Sequence, residues 1–323
     1  MVSEKKFQIY VTRRIPEVGI SALKERGYQV DWHDSDLPVS REILENMVQN
    51  ADGLICMLSD TIDKELILKA KRLKIIANYA AGFNNIDAQF AHEYGVAVSN
   101  TPDILTAATA DLTWALILAV SKRVVEGHRM MQAGQFTGWS PLMLLGGDVT
   151  GKTLGIIGAG RIGQAVAQRA SGFNMQICYH NPRPVPEFEK RTGAQLLPLA
   201  QLLAESDFIS VHCPLNRATH HLIHSENILS IRHGAYLINT ARGSVIEEKA
   251  LIAALKSGRL AGAGLDVYEF EPQVSAELQA MDQVVLLPHI GSATFETRSE
   301  MARIAARNII AVLETGRALN AVV

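Results

Sequence analysis

Three polar residues stand just beyond short apolar runs in the second half of the chain. Arg242 ends INTAR (238–242), Glu271 lies in DVYEFEP (266–272), and His289 ends VVLLPH (284–289). An imidazole titrates near neutrality and can give or take a proton. A carboxylate beside it favours the protonated ring. A guanidinium can polarise a ketone and grip a carboxylate through its planar fork. Together these groups suit hydride transfer to a 2-keto acid, because reducing the carbonyl makes an alkoxide that needs a proton. Taken singly, each has a plainer reading: arginine is common on surfaces, and a histidine before a glycine loop can cap a helix. The set gains weight because all three follow strand ends, where open parallel sheets bind ligands.

A hydride source is legible upstream. TLGIIG (153–158) is a short strand-like run, and Gly158, Gly160 and Gly163 follow with G-x-G-x-x-G spacing. Ile162, Ala165, Val166 and Ala170 then recur at helical spacing. Strand, glycine turn and helix in that order form the dinucleotide-binding fingerprint. In it Gly158 permits the tight turn, Gly160 the approach of a pyrophosphate, and Gly163 close packing of helix on strand. The helix N-terminus offers free N–H groups and a positive dipole end to the phosphates.

The second strand of such a unit reports on the nucleotide. A preference for NAD goes with an acid at its end, bonded to the ribose hydroxyls. Here the strand ends YHNPRP (179–184), so His180 and Asn181 stand where the acid is expected, and Arg183 follows. Without the carboxylate a 2′-phosphate meets no repulsion, and a guanidinium can bind it in a two-pronged way. This predicts NADP(H) as the preferred cofactor, with NAD(H) as the alternative.

The elements that position these groups follow a βαβ rhythm. FQIYVT, QVDWH, GLICML, KIIANYA and VAVSNT read as strands over residues 7–101, with helices near 16–26, 40–50, 63–72 and 84–94. A second series begins at 151, with TLGIIG, MQICYH, FISVHC, AYLINT, AGLDV and VVLLPH as strands. The expected class is α/β, with two Rossmann-like, doubly wound parallel sheets. Residues 102–130 read as one long helix with Leu105, Ala108, Leu112, Ala115, Leu116 and Ala119 on a face, Pro102 in its first turn and Thr101 or Thr106 as cap. Residues 294–315 read as an amphipathic helix ended by Gly316. Between 134 and 147 a glycine-punctuated stretch carries Trp139 and the apolar run from Leu142 to Leu145. So apolar a loop is expected to be covered, by its own domain or by a second subunit.

Composition bounds the rest. The chain has 323 residues, formal net charge −2 and three widely spaced cysteines. No basic patch points to nucleic acid. The opening MVSEKKFQIYVTRR lacks a signal-peptide core, and the run near WALILAV is too short to span a membrane. Cys56, Cys178 and Cys213 read as buried strand thiols, and a cytoplasmic enzyme is expected. His220, His221 and His224 tempt a metal reading, but no carboxylate or cysteine is spaced with them, so a solvated turn is expected. The turn AAGFNNID (80–87) can present backbone N–H groups to a carboxylate, or serve as a plain strand-to-helix turn.

NYAAGFNNID, VSNTPDILTAATADLTWALILA, GKTLGIIGAGRIGQAVA, VHCPL, LINTARGSVI, GLDVYEFEP and LPHIGSAT together resemble the D-isomer-specific 2-hydroxyacid dehydrogenase family. The resemblance covers nearly the whole chain and is nearest to the glyoxylate/hydroxypyruvate reductases, including the 2-ketogluconate reductases. It implies a substrate domain of residues 1–101 and 290–323, a coenzyme domain of 102–289, and a cleft between them. It also implies catalytic roles for Arg242, Glu271 and His289. Thr109, Arg161, Ile162, Cys213, Pro214, Thr219, Thr240, Ala241, Asp266 and Ser292 match cofactor contacts. Ala81 and Gly82 match the carboxylate-binding turn, while Leu58, Phe83 and Trp139 would shape the substrate space. A homodimer through the coenzyme domains is implied, with Trp139 reaching the neighbouring subunit. The chain departs from the pattern at Ala107, where family members often carry Glu.

The expected activity is NADPH-preferring reduction of glyoxylate and hydroxypyruvate, with 2-ketogluconate as the rival substrate. Another class of reading is a dinucleotide-sensing corepressor, since fold does not fix function. An oxidative phosphoglycerate dehydrogenase ranks lower, because the second strand lacks its acid and no added regulatory domain follows.

Overall fold

The structure, a computed structural model, describes residues 7–323; the first six residues of the stretch read for a leader lie outside the described residues. Contacts divide the chain into two compact units, one running up to Leu105 and resuming over Ser292–Val323, the other Thr106–Gly291.

The first unit contains β1 (Gln8–Val11), α1 (Glu17–Glu25), β2 (Gln29–Trp32), α2 (Arg41–Asn50), β3 (Gly53–Cys56), α3 (Lys64–Lys69), β4 (Ile75–Asn78), α4 (Ala88–Glu93) and β5 (Ala97–Ser99). Its sheet is parallel in the order β2-β1-β3-β4-β5. The central strands GLIC and IIAN are buried at every position, as expected for strands covered on both faces. Side-chain caps start the helices that follow: Asp63 accepts from Leu66 N, and Asp87 from Phe90 N. The C-terminal α12 (Phe295–Thr315) returns to this unit, capped by Thr294 and ended by Gly316 at φ +76°. Ala302, Ala305 and Ile309 pack there with Ile9, Ile55 and Ile75.

The second unit opens with α5 (Thr106–Ser121) and α6 (Val124–Gln132). Then come β6 (Thr153–Ile157), α7 (Arg161–Arg169), β7 (Gln176–His180), α8 (Pro186–Thr192), β8 (Gln195–Leu196), α9 (Leu199–Glu205) and β9 (Phe208–Val211). It closes with β10 (Ala235–Asn239), α10 (Glu248–Lys256), β11 (Leu260–Leu265), α11 (Ala276–Gln279) and β12 (Val284–Leu286). The sheet is parallel in the order β12-β11-β10-β9-β6-β7-β8, so strand order reverses between β6 and β9. The two-residue β8 has no counterpart in the sequence reading.

The single helix expected over 102–130 is two helices. Asp103, at φ +69°, precedes α5, which starts at Thr106 and leaves Pro102 outside. Arg123 then adopts a left-handed conformation, φ +54°, between α5 and α6. The cause lies about 25 residues on: Gly147 N donates to Ser121 O at 2.9 Å and takes an acceptor at the end of α5. A Cβ on the neighbouring Gly146 would collide with that same oxygen. The buried face also differs from the expected one. Of the six residues predicted on it, only Leu116 is buried; Thr109, Ala110, Thr113, Trp114, Ile117 and Val120 complete the face. An apolar stripe nearly all round the helix cannot select a side, and the inward threonines find partners of their own.

Candidate active site

The glycine turn after β6 is built on close approaches. Gly158 has φ +96°, and a Cβ there would meet Cys213 N at 2.5 Å. Only glycine avoids both penalties. A Cβ on Gly163 would collide with Gly158 O, so α7 seats directly on the turn. Gly160 caps α7 with no side-chain hydrogen bond, and a Cβ there meets nothing within 4 Å. Open space in front of a bare helix N-terminus, at the reversal between β6 and β9, fits a dinucleotide pyrophosphate. Gly158 N donates to His180 O at 2.9 Å, which ties the turn to the end of β7. There the His180 ring is engaged by Leu197 O (3.1 Å), Asn181 Nδ2 donates to Arg183 O (3.0 Å), and Arg183 is exposed.

Past β11 and β12 the chain brings two of the three predicted chemical residues into contact. His289 Nδ1 lies 2.9 Å from Glu271 Oε2, with 34% and 36% of the side chains exposed. Glu271 Oε1 accepts from Tyr268 N at 3.0 Å, so its carboxylate is held from both sides. Burial acts to raise its pKa; the hydrogen bond and charge of His289, the Tyr268 N–H and the charge of Arg242 outweigh that and leave it lowered. With Nδ1 on the carboxylate, Nε2 is the ring nitrogen left for chemistry. His289 holds a left-handed backbone, φ +53°, a conformation costly for a residue with a Cβ. Asp266 secures it: its carboxylate accepts from Ile290 N (2.7 Å) and Gly291 N (2.8 Å).

Arg242 follows β10. Asn239 Nδ2 donates to its carbonyl at 2.9 Å, and its own Nη1 donates to Ala241 O at 2.6 Å. Burial lowers its pKa while the charge of Glu271 opposes the shift, which places the two groups within each other's field. A Cβ on Gly243 would strike the Tyr268–Glu269 backbone, so the loops bearing Arg242 and Glu271 are packed backbone to backbone.

A fastening absent from the sequence reading joins these loops. His221, expected in a solvated turn without a carboxylate partner, has Nε2 at 2.7 Å from Glu269 Oε1. Glu269 Oε2 accepts from Glu248 N at the start of α10, at 2.8 Å, and His221 N donates to Ser244 O at 2.8 Å. The partner was invisible because it lies 48 residues away. Among the described residues no group of three or more His, Cys, Asp or Glu is arranged to hold a metal ion.

The other predicted contacts are spread over both units. Thr109, Thr240 and Asp266 are buried: Thr109 Oγ1 donates to Gly291 O at 3.0 Å, and Thr240 Oγ1 lies 2.9 Å from Thr113 Oγ1. Cys213 is buried next to the glycine turn, its thiol pushed up to about 11 by burial, and Thr219 Oγ1 closes the following loop onto Pro214 O at 2.5 Å. Arg161 and Ile162 open α7, Ala241 N is held by Asn239 Oδ1, and Ser292 belongs to the first unit. In that unit Leu58 follows β3, and Ala81 and Gly82 follow the neighbouring β4. Asn85 Nδ2 links these loops by donating to Met57 O (2.9 Å) and Asp60 O (3.1 Å). Asp87 of the same turn caps α4. Trp139 is 82% exposed, so nothing among the described residues covers it. The three cysteines are free and buried, as read; Cys56 and Cys178 lie in strands, but Cys213 stands two residues past the end of β9, not in a strand. No helix among the described residues is long and apolar enough to cross a membrane.

A parallel-sheet unit with a glycine phosphate turn and a histidine–carboxylate pair defines a nicotinamide-dinucleotide oxidoreductase. The profile of the D-isomer specific 2-hydroxyacid dehydrogenase NAD binding domain matches residues 114–291. A glyoxylate reductase of Thermococcus onnurineus is 47% identical over 310 residues, covering 95% of this chain and 92% of that protein. A crystal structure of a Thermus thermophilus protein superposes with TM-score 0.92 at 44% identity, covering 98% of this chain and all of the other. An NADPH-dependent glyoxylate/hydroxypyruvate reductase of Sinorhizobium meliloti, solved with NADP and malonate, gives TM-score 0.85 at 30% identity, covering 98% and 97%. The chain belongs to the D-isomer-specific 2-hydroxyacid dehydrogenase family and is an NAD(P)-dependent enzyme of that family.

Proposed function

We propose that the protein is an NADPH-preferring reductase of small 2-keto acids, taking glyoxylate to glycolate and hydroxypyruvate to D-glycerate. The observation that carries this is the His289–Glu271 pair at 2.9 Å, on the dinucleotide-binding unit and within the field of Arg242. The names of the relatives at 47% and 30% identity point to the same substrates. When bound, the reduced nicotinamide supplies the hydride. His289 Nε2 holds the proton for the carbonyl oxygen, and Glu271, bonded to Nδ1, aims the ring. Arg242 polarises the carbonyl and pairs with the substrate carboxylate. In the first unit the backbone turn at Ala81 and Gly82 is a proposed receptor for a keto-acid carboxylate, and Leu58 and Trp139 are proposed substrate contacts.

The NADPH preference rests on the acid-free end of β7 and on Arg183. The test is loss of reduced-nicotinamide absorbance with NADPH and NADH in parallel against glyoxylate, hydroxypyruvate and 2-ketogluconate. Arg183→Ala should weaken NADPH about 10- to 100-fold, the worth of a charged hydrogen bond, and leave NADH nearly unchanged. Equal losses for both nucleotides would sink the 2′-phosphate role. Tight dinucleotide binding without turnover of any acid would favour the corepressor reading instead.

The pH profile tests the histidine–carboxylate pair. Glu271 stays ionised at and above the ordinary carboxylate range, because its pKa is lowered. Acidification protonates that carboxylate and removes its charge from beside His289, so reduction should fall on the acid side, below the ordinary carboxylate range. Glu271→Gln has no such proton to gain, so it should lower kcat and lose this acid limb. An acid limb unchanged in Glu271→Gln would separate Glu271 from the reaction.

A homodimer is also inferred. On α6 and the following stretch Val124, Met131, Phe136, Trp139, Leu142 and Leu145 are all exposed, an apolar surface that a second copy would cover.

A further inference from the structure

The proposed carboxylate turn after β4 has three successive carbonyls, each held by a separate donor. Thr101 N donates to Ala80 O at 2.9 Å, Asn100 Nδ2 to Ala81 O at 2.6 Å, and Asn78 Nδ2 to Gly82 O at 2.7 Å. In a trans peptide the C=O and the following N–H point opposite ways. Fixing those three carbonyls therefore fixes the N–H groups of Ala81, Gly82 and Phe83, each turned away from the donor that holds its own peptide. A backbone N–H held in one direction in this way can donate to an anion that approaches from that side.

Asn100 is itself anchored from the far end of the chain. Its backbone N donates to Asn320 O at 3.3 Å. Asn320 is clasped by Asn308, fully buried on α12: Asn320 N donates to Asn308 Oδ1 at 2.9 Å, and Asn308 Nδ2 to Asn320 Oδ1 at 3.0 Å. Ala321 bridges antiparallel to Ser99, and Val322 N donates to Val98 O at 3.1 Å, so this segment covers the free edge of β5. A path of hydrogen bonds thus runs from Asn308 through Asn320 and Asn100 to the Ala81 carbonyl.

We propose that Asn100 is a positioning residue for substrate binding: it sets the Ala81–Gly82 peptide so that the Gly82 N–H faces the keto-acid carboxylate, with 320–322 as its support. This rests on the reading that the turn receives the carboxylate. Asn100 is the better probe than Asn78, which is fully buried and also contacts Cys56 and Asn85. Asp is nearly isosteric with Asn but cannot donate when ionised. It repels the Ala81 carbonyl and accepts an N–H, so it favours the reversed peptide. Ala removes the bond without adding charge.

The test compares glyoxylate reduction at saturating NADPH in the unaltered protein, Asn100→Asp and Asn100→Ala, with NADPH affinity and thermal midpoint measured on each. Asn100→Asp should raise KM about tenfold or more, Asn100→Ala about three- to tenfold, with kcat changed less than KM and NADPH affinity unchanged. An unchanged KM in Asn100→Asp overturns the proposal. So does a joint fall of thermal midpoint, NADPH affinity and kcat, which would mark a merely structural residue. Inactivity of the unaltered protein on every 2-keto acid tried would instead fail the proposed function, and the positioning role with it.

Discussion

His289→Ala is expected to lower kcat for keto-acid reduction by about 10²- to 10⁴-fold, the range ascribed to a positioned general acid. Dinucleotide affinity should survive. The substitution leaves Gly158, Gly160 and the N-terminus of α7 untouched, and Asp266 still accepts from the backbone of Ile290 and Gly291. Rapid mixing to follow the first turnover, with equilibrium NADPH titration on the same sample, separates chemistry from binding. Turnover within a few-fold of the unaltered protein would remove His289 as the proton donor. There is an opposing effect on stability. Position 289 has φ +53°, where most side chains bearing a Cβ are strained by about 1–2 kcal/mol, so alanine inherits the strain and loses the Glu271 bond. His289→Asn is the control. Asparagine tolerates the left-handed region and can bond Glu271, but it cannot deliver a proton. It should fold as well as the unaltered protein and be as inactive as the alanine variant.

Much of this site was legible because its determinants are local. The turn at Gly158–Gly163 needs glycines at fixed offsets between a strand and a helix, and that pattern is written within a single short stretch, 153–170. The parallel order of both sheets follows from the βαβ rhythm, and the central strands announce themselves as unbroken apolar runs. Illegible features depend on partners far along the chain. The break after Ser121 is made by Gly146 and Gly147, and neither the helix nor the loop alone signals it. His221 looked solvated because Glu269 is brought to it only when the β11 loop folds back against the loop after β10. The inward face of α5 is chosen by Gly291 O and Thr240, partners that a helical wheel does not contain. Charge chemistry was readable in the types of Arg242, Glu271 and His289; the hydrogen bonds that aim them come from Asn239, Tyr268 and Asp266, residues whose types alone suggested no such role.

Arg242→Ala should damage binding and chemistry together. The side chain is half-buried, and that burial lowers its pKa, yet it stays cationic at neutral pH. A cation in such surroundings acts on substrate charge far more strongly than one in solvent. Pairing with the carboxylate exists in both ground and transition states, so its loss raises KM. Stabilising the developing alkoxide exists only in the transition state, so its loss lowers kcat, by about 10²- to 10³-fold for one preorganised donor. The expected kcat/KM deficit exceeds either change alone, measured with glyoxylate at saturating NADPH. Arg242→Lys should recover little of it, because an ammonium supplies charge without the planar fork, and Nη1 is already committed to Ala241 O at 2.6 Å in the arginine geometry. There is a second consequence at Glu271. The charge of Arg242 helps lower that carboxylate's pKa, so in Arg242→Ala the group should protonate at higher pH on acidification. The acidic limb of the residual activity would then shift upward. A variant with normal KM would refute the grip on the substrate carboxylate; one with raised KM and unaltered kcat would confine Arg242 to binding.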